Sequence, residues 1–221
     1  MNTKLLVVRL EIVIGTMKEL GFFIGEESMI VDLLRTRCSM RKLKQMPIPQ
    51  DTIDYIIEAG RLSPSGGNEQ PWLFGVIDDK ELIRKIAVVA YNQEWITSAP
   101  LLIVLCTTII EDERGGRDIQ VSRFPELKNE IVNMDKELYS KLNSEEHQSK
   151  IPGTHMVLAA LEQEIYSTWV SYFSISEVSK LLNLPSSYIP SEILVFGYPA
   201  GEIKPRIKKK KEEIVFLNSY T

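Results

Sequence analysis

The sequence has few of the residues that build metal sites and disulfides, with only two cysteines and two histidines among 221 residues. Cys38 and Cys106 lie far apart and outside any C-x-x-C pattern, which is typical of free thiols in a reducing cytosol. His147 and His155 have no partner at the spacing of metal ligands. These absences argue against a disulfide scaffold and against a zinc site.

The chain also lacks a long apolar run and a strong net charge. No segment reaches about 18 consecutive apolar residues, and Arg9 and Glu11 interrupt the apolar N-terminus, so neither a membrane span nor a signal peptide is expected. The formal charge of −4 is mild, and the lysine run at 208–211 is typical of a solvated cluster. We therefore expect a cytoplasmic protein without a nucleic-acid or membrane partner.

Apolar residues make up 44% of the chain, which is enough for one domain with a core. Their periodicity predicts helices at 28–37, 51–59, 80–90 and 156–165, and strands at 72–77, 101–108, 166–173 and 193–199. Ser174 and Glu177 match a capping box in front of a further helix. Helices and strands thus alternate around a small sheet, which predicts a layered α/β or α+β domain.

Two stretches fall outside this alternation. Residues 1–27 form an N-terminal extension, and their periodicity does not decide between strand and helix. Residues 111–150 are highly charged, and two interpretations stay open for them: a lid or a solvated helical insertion. The main domain is predicted at 28–221, with this variable insertion inside it.

Three polar segments are candidates for a binding site. The first reads RTRCSMRK, in which Arg37, Ser39 and Arg41 alternate and would share a face of an extended chain. Guanidinium groups around a hydroxyl suit a phosphate, because arginine donates in a fork that matches phosphate oxygens. A basic helix end that complements the helix dipole is the alternative interpretation.

The second segment, residues 61–72, reads RLSPSGGNEQPW and leads into an apolar strand. Its two glycines permit close backbone approach and positive φ, while Ser65 and Asn68 offer donors and acceptors. A plain helix-to-strand turn is the alternative. The third segment carries Lys204 and Arg206, two positions apart, after the last predicted strand.

The order of these motifs resembles the nitroreductase family of FMN-dependent oxidoreductases. The resemblance rests on RTRCSMRKLKQMPIP, EAGRLSPSGGNEQPW, SAPLLIVLC and VFGYPAGEIKPR, and it covers residues 28–110 and 154–220. It implies an α+β fold with a central mixed, mainly antiparallel sheet flanked by helices. It also implies a homodimer that exchanges its C-terminal segments and holds FMN at the interface.

The resemblance implies a defined set of FMN contacts. These are Arg37, Cys38, Ser39, Arg41, Pro64, Ser65, Gly66, Asn68, Ser171, Tyr172, Lys204 and Arg206. In the first motif Arg37 and Ser39 would hold the phosphate and Arg41 would reach the pyrimidine side of the ring. Cys38 stands where the family usually has a second arginine.

The other contacts follow from the later motifs. Residues 64–68 would contact the isoalloxazine, often from the opposite subunit, and Lys204 and Arg206 would complete the phosphate site. Main-chain amides near Ser171 and Tyr172 would meet the N5 and O4 edge of the flavin. Glycines that the family commonly has in this region are absent from residues 164–171.

The resemblance implies an enzyme that passes hydride from NADH or NADPH through flavin N5 to a small acceptor, such as a nitroaromatic or a quinone. Because the flavin carries the hydride, no catalytic acid, base or nucleophile is expected from the protein. Two alternatives stay open. One is a reductive dehalogenase or flavin-fragmenting relative, and the other is a flavin sensor or carrier whose Tyr166 and Tyr172 close the acceptor site.

Overall fold

The computed structural model describes residues 29–108, 121–122, 124–135, 145–204 and 206–219. The chain divides into two units, Met1–Thr36 and Arg37–Thr221. In the first unit the described residues form helix α1, Met29–Thr36, in which Arg35 pairs with Asp32 at 2.6 Å. The predicted extension at 1–27 and the first residue of the predicted helix, Ser28, lie outside the described residues.

The second unit contains five further helices and four strands among its described residues. The helices are α2 (Gln50–Arg61), α3 (Lys80–Val89), α4 (Lys128–Asn133), α5 (Glu145–Glu162) and α6 (Ile175–Leu181). The strands are β1 (Trp72–Ile77), β2 (Leu101–Thr108), β3 (Tyr166–Val170) and β4 (Tyr188–Gly197). Short 3-10 turns occupy Gly66–Asn68, Glu94–Ser98, Pro125–Leu127 and Lys211–Glu213. Within the described ranges, no helix combines the length and apolar character needed to cross a bilayer.

The sheet has the strand order β1-β2-β4-β3, and all three pairings between these strands are antiparallel. Parallel character is limited to an isolated bridge between Ser39 and Ser167. The apolar run of β2 is buried on both faces from Leu101 to Cys106, as an uninterrupted hydrophobic strand predicts. The predicted α+β fold is confirmed.

A cluster of buried apolar residues lies where α2, α5 and the sheet meet. Its members are Ile48, Ile53, Ile56, Leu101, Ile103, Leu105, Met156, Val157, Ala160, Ile165, Leu194 and Phe196. The other face of β4 is covered by α6, whose Val178 is fully buried. Ser174 caps α6 by accepting from Glu177 N at 3.4 Å, as the capping box predicts.

Helix α5 begins at Glu145, well before the start predicted at 156. Pro152 lies inside the helix and lacks the N–H that a helical interior uses. A Cβ at the next residue, Gly153, would lie only 2.5 Å from Leu105 Cδ1 and 2.6 Å from Trp169. The glycine therefore permits the helix to approach the sheet closely.

Helix α5 thus includes the last part of the predicted insertion at 111–150. Among the other described residues of that stretch are Pro125–Leu127 and α4, in which Ile131 is buried. Residues 109–120 and 136–144 lie outside the described part of the chain, so the choice between a lid and a solvated insertion is not tested there.

Strand β4 begins at Tyr188, five positions before the predicted start at 193. Pro190 pairs with Cys106 and Glu192 with Leu105, which leaves Ser191 as the extra residue of a β-bulge. Proline cannot donate to a sheet ladder, so a regular strand does not readily include it. The bulge accommodates the proline and continues the strand.

Candidate functional site

Residues 37–44, which we call the basic segment, lie beside the first residues of β3. Met40 N donates to Ser167 O at 3.3 Å, next to the Ser39–Ser167 bridge. The buried Thr168 hydroxyl donates to Met40 O at 2.8 Å. The sheet therefore positions this segment through its backbone.

The side chains of the basic segment alternate as predicted. Cys38 and Met40 are buried, Ser39 and Arg41 are exposed, and Arg37 is half-buried. The two arginines and the serine thus share the outer side, which confirms the predicted face. The Cys38 side chain lies on the buried side, so a contact from Cys38 to a ligand on the outer side would have to come from its main chain.

The two arginines of the basic segment are not committed to carboxylates. Arg41 lies over the Trp95 ring, with its guanidinium carbon 5.6 Å from the ring centroid, which is a cation–π distance. Among the ion pairs formed between described residues, none involves Arg37 or Arg41. Both remain suited to an anionic ligand.

The chain that follows β4 runs along the basic segment. Lys44 N donates to Tyr198 O and Ala200 N donates to Lys42 O, both at 2.9 Å. The basic segment thus lies beside residues 198–200, from which the chain continues to Lys204 and Arg206. The described residues beyond Ala200 are exposed, and Lys204 Nζ pairs with the Glu202 carboxylate at 2.8 Å. Arg206 is exposed, and no described contact joins it or Lys204 to Arg37.

Residues 62–71, which we call the glycine loop, form a tight turn between α2 and β1. Gly67 and Asn68 both adopt left-handed backbone conformations, with φ of 56° and 57°. Gln70 N donates to Ser65 Oγ at 2.9 Å, which closes the turn on itself. Pro64, like the tip residues at 66–68, is exposed and open to a ligand.

The glycine loop is anchored at its ends and at its tip. The carbonyl of the buried Pro71 accepts from Thr108 N and from Thr107 Oγ1, both at 3.1 Å. Trp72, which ends the motif RLSPSGGNEQPW, is only half-buried and stacks on Phe74, so its side chain does not anchor the loop in the core. The anchor is therefore Pro71, because its backbone joins the sheet.

Helix α5 supplies further contacts to this loop. Gly66 N donates to Gln148 Oε1 at 2.9 Å. At the start of the loop, the buried Ser63 hydroxyl lies 2.7 Å from His155 Nδ1. The end of the predicted insertion thus contacts the predicted flavin loop.

The residues that follow β3 are also accessible. Ser171 and Tyr172 are exposed, the latter to 68%. The Tyr172 ring packs against Tyr91, with centroids 4.1 Å apart, and Tyr172 O accepts from Gln93 Nε2 at 2.9 Å. Tyr166, in contrast, is buried within β3. Of the two tyrosines predicted to restrict the acceptor site, only Tyr172 is exposed.

Some residues around these segments were not predicted. They are Gln148, which contacts Gly66, Tyr91 and Gln93, which contact Tyr172, and Glu192, which accepts a hydrogen bond from Ser171 Oγ at 2.6 Å. Glu192 could have been found from the sequence, since it is a charged residue directly before the apolar run ILVFG. The other three carried no local signal.

Neither cysteine is a nucleophile in this structure. Cys38 and Cys106 are both buried free thiols. Burial raises the pKa of the Cys106 thiol to about 12, so the thiol is neutral at physiological pH. A thiolate of Cys106 therefore takes no part in the chemistry of the site.

The fold and the accessible basic segment are those that the resemblance to nitroreductases predicts. The sequence profile described as "Nitroreductase family" matches residues 34–198, so the chain belongs to the nitroreductase family, as its motifs predict. The enzyme prediction is confirmed at this level, since the relatives carry the names of NAD(P)H-dependent reductases.

Individual relatives agree with this assignment. The chain is 28% identical over 184 residues to the FMN reductase (NAD(P)H) of Bacillus subtilis, covering 82% of this chain and 71% of that protein. It is 29% identical over 202 residues to the iodotyrosine deiodinase of Thermotoga neapolitana, covering 87% and 99%. The fold matches that of a nitroreductase family protein from Clostridium difficile 630, with a TM-score of 0.67, 22% identity, and coverage of 88% and 100%.

Proposed function

We propose that this chain is an FMN-dependent oxidoreductase that takes hydride from NADH or NADPH and delivers it to a small nitroaromatic, quinone or similar acceptor. The observation that carries the proposal is the backbone contact between the basic segment and residues 198–200, which precede Lys204 and Arg206. Backbone hydrogen bonds join the basic segment to the chain that leads from β4 to Lys204 and Arg206. An FMN phosphate carries about two negative charges, and cations from both stretches would neutralise it.

The donors in this region fit FMN. Arg37 and Ser39 share an accessible side on which a guanidinium fork and a hydroxyl would hold phosphate oxygens. The exposed tip of the glycine loop, with its left-handed Gly67, would cover a flat ring closely. When bound, FMN would supply the redox chemistry by accepting and releasing hydride at N5. The role of the protein is then to bind and orient the ring.

The test is spectroscopic and kinetic. The purified protein should carry or take up FMN, show flavin absorbance, and bleach under anaerobic conditions on addition of NADH or NADPH. Steady-state rates with both nicotinamides against nitro, quinone and halogenated acceptors would then identify donor and acceptor. A colourless protein that fails to bind added FMN would contradict the proposal.

Reductive dehalogenation is the second candidate, because a relative named iodotyrosine deiodinase aligns over 99% of its length. Iodide release from an iodinated phenol, with slow turnover of nitro and quinone acceptors, would favour this function. Tight FMN binding with negligible turnover across the whole panel would instead favour a flavin sensor or carrier. The exposed Tyr172, packed against Tyr91, would then be the group that restricts access.

We also propose a homodimer as the active form. The C-terminal residues expose a series of large apolar side chains, namely Ile207, Ile214, Val215, Phe216 and Leu217. Contiguous apolar surface of this kind marks an interaction site, and a second copy of the chain is the partner that the family resemblance implies. Sedimentation of the full chain and of a chain ending at 206 tests this, and a monomeric full chain would contradict it.

The buried free thiols are in keeping with a cytoplasmic location, which we propose for this protein.

A further inference from the structure

Glu192 is a charged residue in the apolar interior of the sheet. It is 2% exposed, and the next residues of β4, Ile193 to Phe196, are fully buried and apolar. Burial of a carboxylate is costly unless the group is paired, and a well-packed apolar residue often stabilises such a position at least as well. The stability of the sheet therefore gives no reason for a carboxylate here.

Both oxygens of this carboxylate are engaged. Oε2 accepts from the Ser171 hydroxyl at 2.6 Å, and Oε1 lies 3.3 Å from Lys150 Nζ. Val170 pairs with Ile193 in the antiparallel register of β3 and β4, so Ser171 and Glu192 are the next facing positions. Lys150 comes from α5. Three elements thus meet in one network at the end of β3.

The network acts on the residues that are expected to face the flavin edge. A hydrogen bond to a carboxylate is shorter and stronger than one between neutral groups, so it restrains Ser171 firmly. The following residue is restrained separately, since Tyr172 O accepts from Gln93 Nε2 at 2.9 Å. The family commonly has glycines in this region, and a glycine has no side chain that could be held in place. The Ser171 hydroxyl, in contrast, is hydrogen-bonded to the buried carboxylate of Glu192.

We infer that Glu192, oriented by Lys150, is a positioning residue that holds the Ser171 hydroxyl and thereby fixes the main-chain amides of Ser171 and Tyr172 for the flavin ring. The inference rests on the proposed function for the identity of the ligand. The restraint of Ser171 by Glu192 does not depend on the proposed function, because the hydrogen bond is present in the protein without a ligand.

The first experiment measures the restraint in FMN-free protein. Ser171→Ala removes the hydroxyl, Ser171→Thr keeps it, and Ser171 is exposed, so neither change threatens folding. Amide hydrogen exchange at 171–173 should accelerate about tenfold in the alanine variant and stay close to the parent rate in the threonine variant. Ser98→Ala is the matched control, since the Ser98 hydroxyl donates to Trp95 O at 2.8 Å and not to a carboxylate.

The second experiment measures FMN affinity by quenching of flavin fluorescence. Ser171→Ala should raise the FMN Kd about tenfold, and Ser171→Thr should restore it to within about twofold of the parent. Equal exchange at 171–173 in parent and alanine variant would overturn the inference. A lowered Tm without change in either exchange or FMN Kd would also overturn it, since the network would then be merely structural. If the parent itself does not bind FMN, the proposed function fails, and the exchange rates still decide whether Glu192 restrains Ser171.

Discussion

The basic segment and the glycine loop carry most of the predicted flavin contacts, yet the fold holds them in different ways. The basic segment exchanges main-chain hydrogen bonds with the chain on either side of it, from Met40 N to Ser167 O at 3.3 Å and from Lys44 N to Tyr198 O at 2.9 Å. Its inward side chains, Cys38 among them, are buried. Its position is therefore part of the sheet architecture.

The glycine loop is tied to the sheet only at its end, where Pro71 O accepts from β2. Its tip is held by a side chain, through the hydrogen bond from Gly66 N to Gln148 Oε1 at 2.9 Å. A side-chain contact can break without disturbing a strand pairing, so local opening of this loop should cost less free energy. We therefore expect the basic segment, on the predicted phosphate side of the flavin, to be preformed. The glycine loop, on the predicted ring side, should be able to adjust its position.

The largest effect is expected from the preformed side. Arg37→Ala should raise the FMN Kd about 10- to 100-fold, because a hydrogen bond to a charged group contributes about 1.5–3 kcal/mol. Arg35→Ala removes the same charge from α1, where Arg35 pairs with Asp32 at 2.6 Å, and should leave the Kd nearly unchanged. Fluorescence titration measures the FMN Kd of both variants. Equal Kd values for Arg37→Ala and Arg35→Ala would show that Arg37 does not bind FMN.

The backbone anchor of the basic segment can be tested without a ligand. Thr168→Val keeps the shape of the side chain but removes the buried hydroxyl that donates to Met40 O at 2.8 Å. Loss of that donor should cost about 1–3 kcal/mol of unfolding free energy, measured by chemical denaturation. Thr154→Val is the control, since the hydroxyl of the exposed Thr154 donates within α5 to Lys150 O, and should cost under about 0.5 kcal/mol. Equal stability of the two variants would show that the hydroxyl does not anchor the segment.

A smaller effect is expected at the tip of the glycine loop. Asn68→Ala should raise the FMN Kd about 3- to 10-fold, because a neutral hydrogen bond contributes about 0.5–1.5 kcal/mol. Asn68 has a φ of 57°, where alanine is strained, so Asn68→Gly separates loss of the side chain from backbone strain. Both variants should weaken FMN if the side chain contacts the ring. Unchanged affinity in both would exclude that contact.

The basic segment was the part of the site that the sequence predicted best. The alternation of Arg37, Ser39 and Arg41 with buried neighbours is a local property with a period of two, and it is visible without knowing any tertiary contact. The same holds for the uninterrupted apolar run of β2 and for the Ser174 cap. Local periodicity and local capping therefore account for most of the fold prediction.

The predictions differ from the structure at two prolines and at contacts between residues far apart in the sequence. Pro152 and Pro190 lie outside the predicted elements, yet α5 and β4 continue through both residues, with a close helix–sheet contact at Gly153 and a bulge at Ser191. The partner of Gly66 is 82 residues away, in a stretch that only looked charged and variable. Glu192 was predictable in principle as a charge at the edge of an apolar run, but its partners were not.

The Gln148 contact gives the smallest and most specific test of the comparison. Gln148→Ala should accelerate exchange of the Gly66 amide about tenfold while lowering the unfolding free energy by only about 0.5–1 kcal/mol, since one neutral hydrogen bond is lost. Gln163→Ala, at an exposed position just after α5, is the control and should change neither quantity. Exchange by the basic-segment amide of Met40 should stay at the parent rate in both variants. If Gly66 exchanges as slowly as before, the loop is held by its own turn and by Pro71, and the contrast between a preformed and an adjustable side would no longer hold.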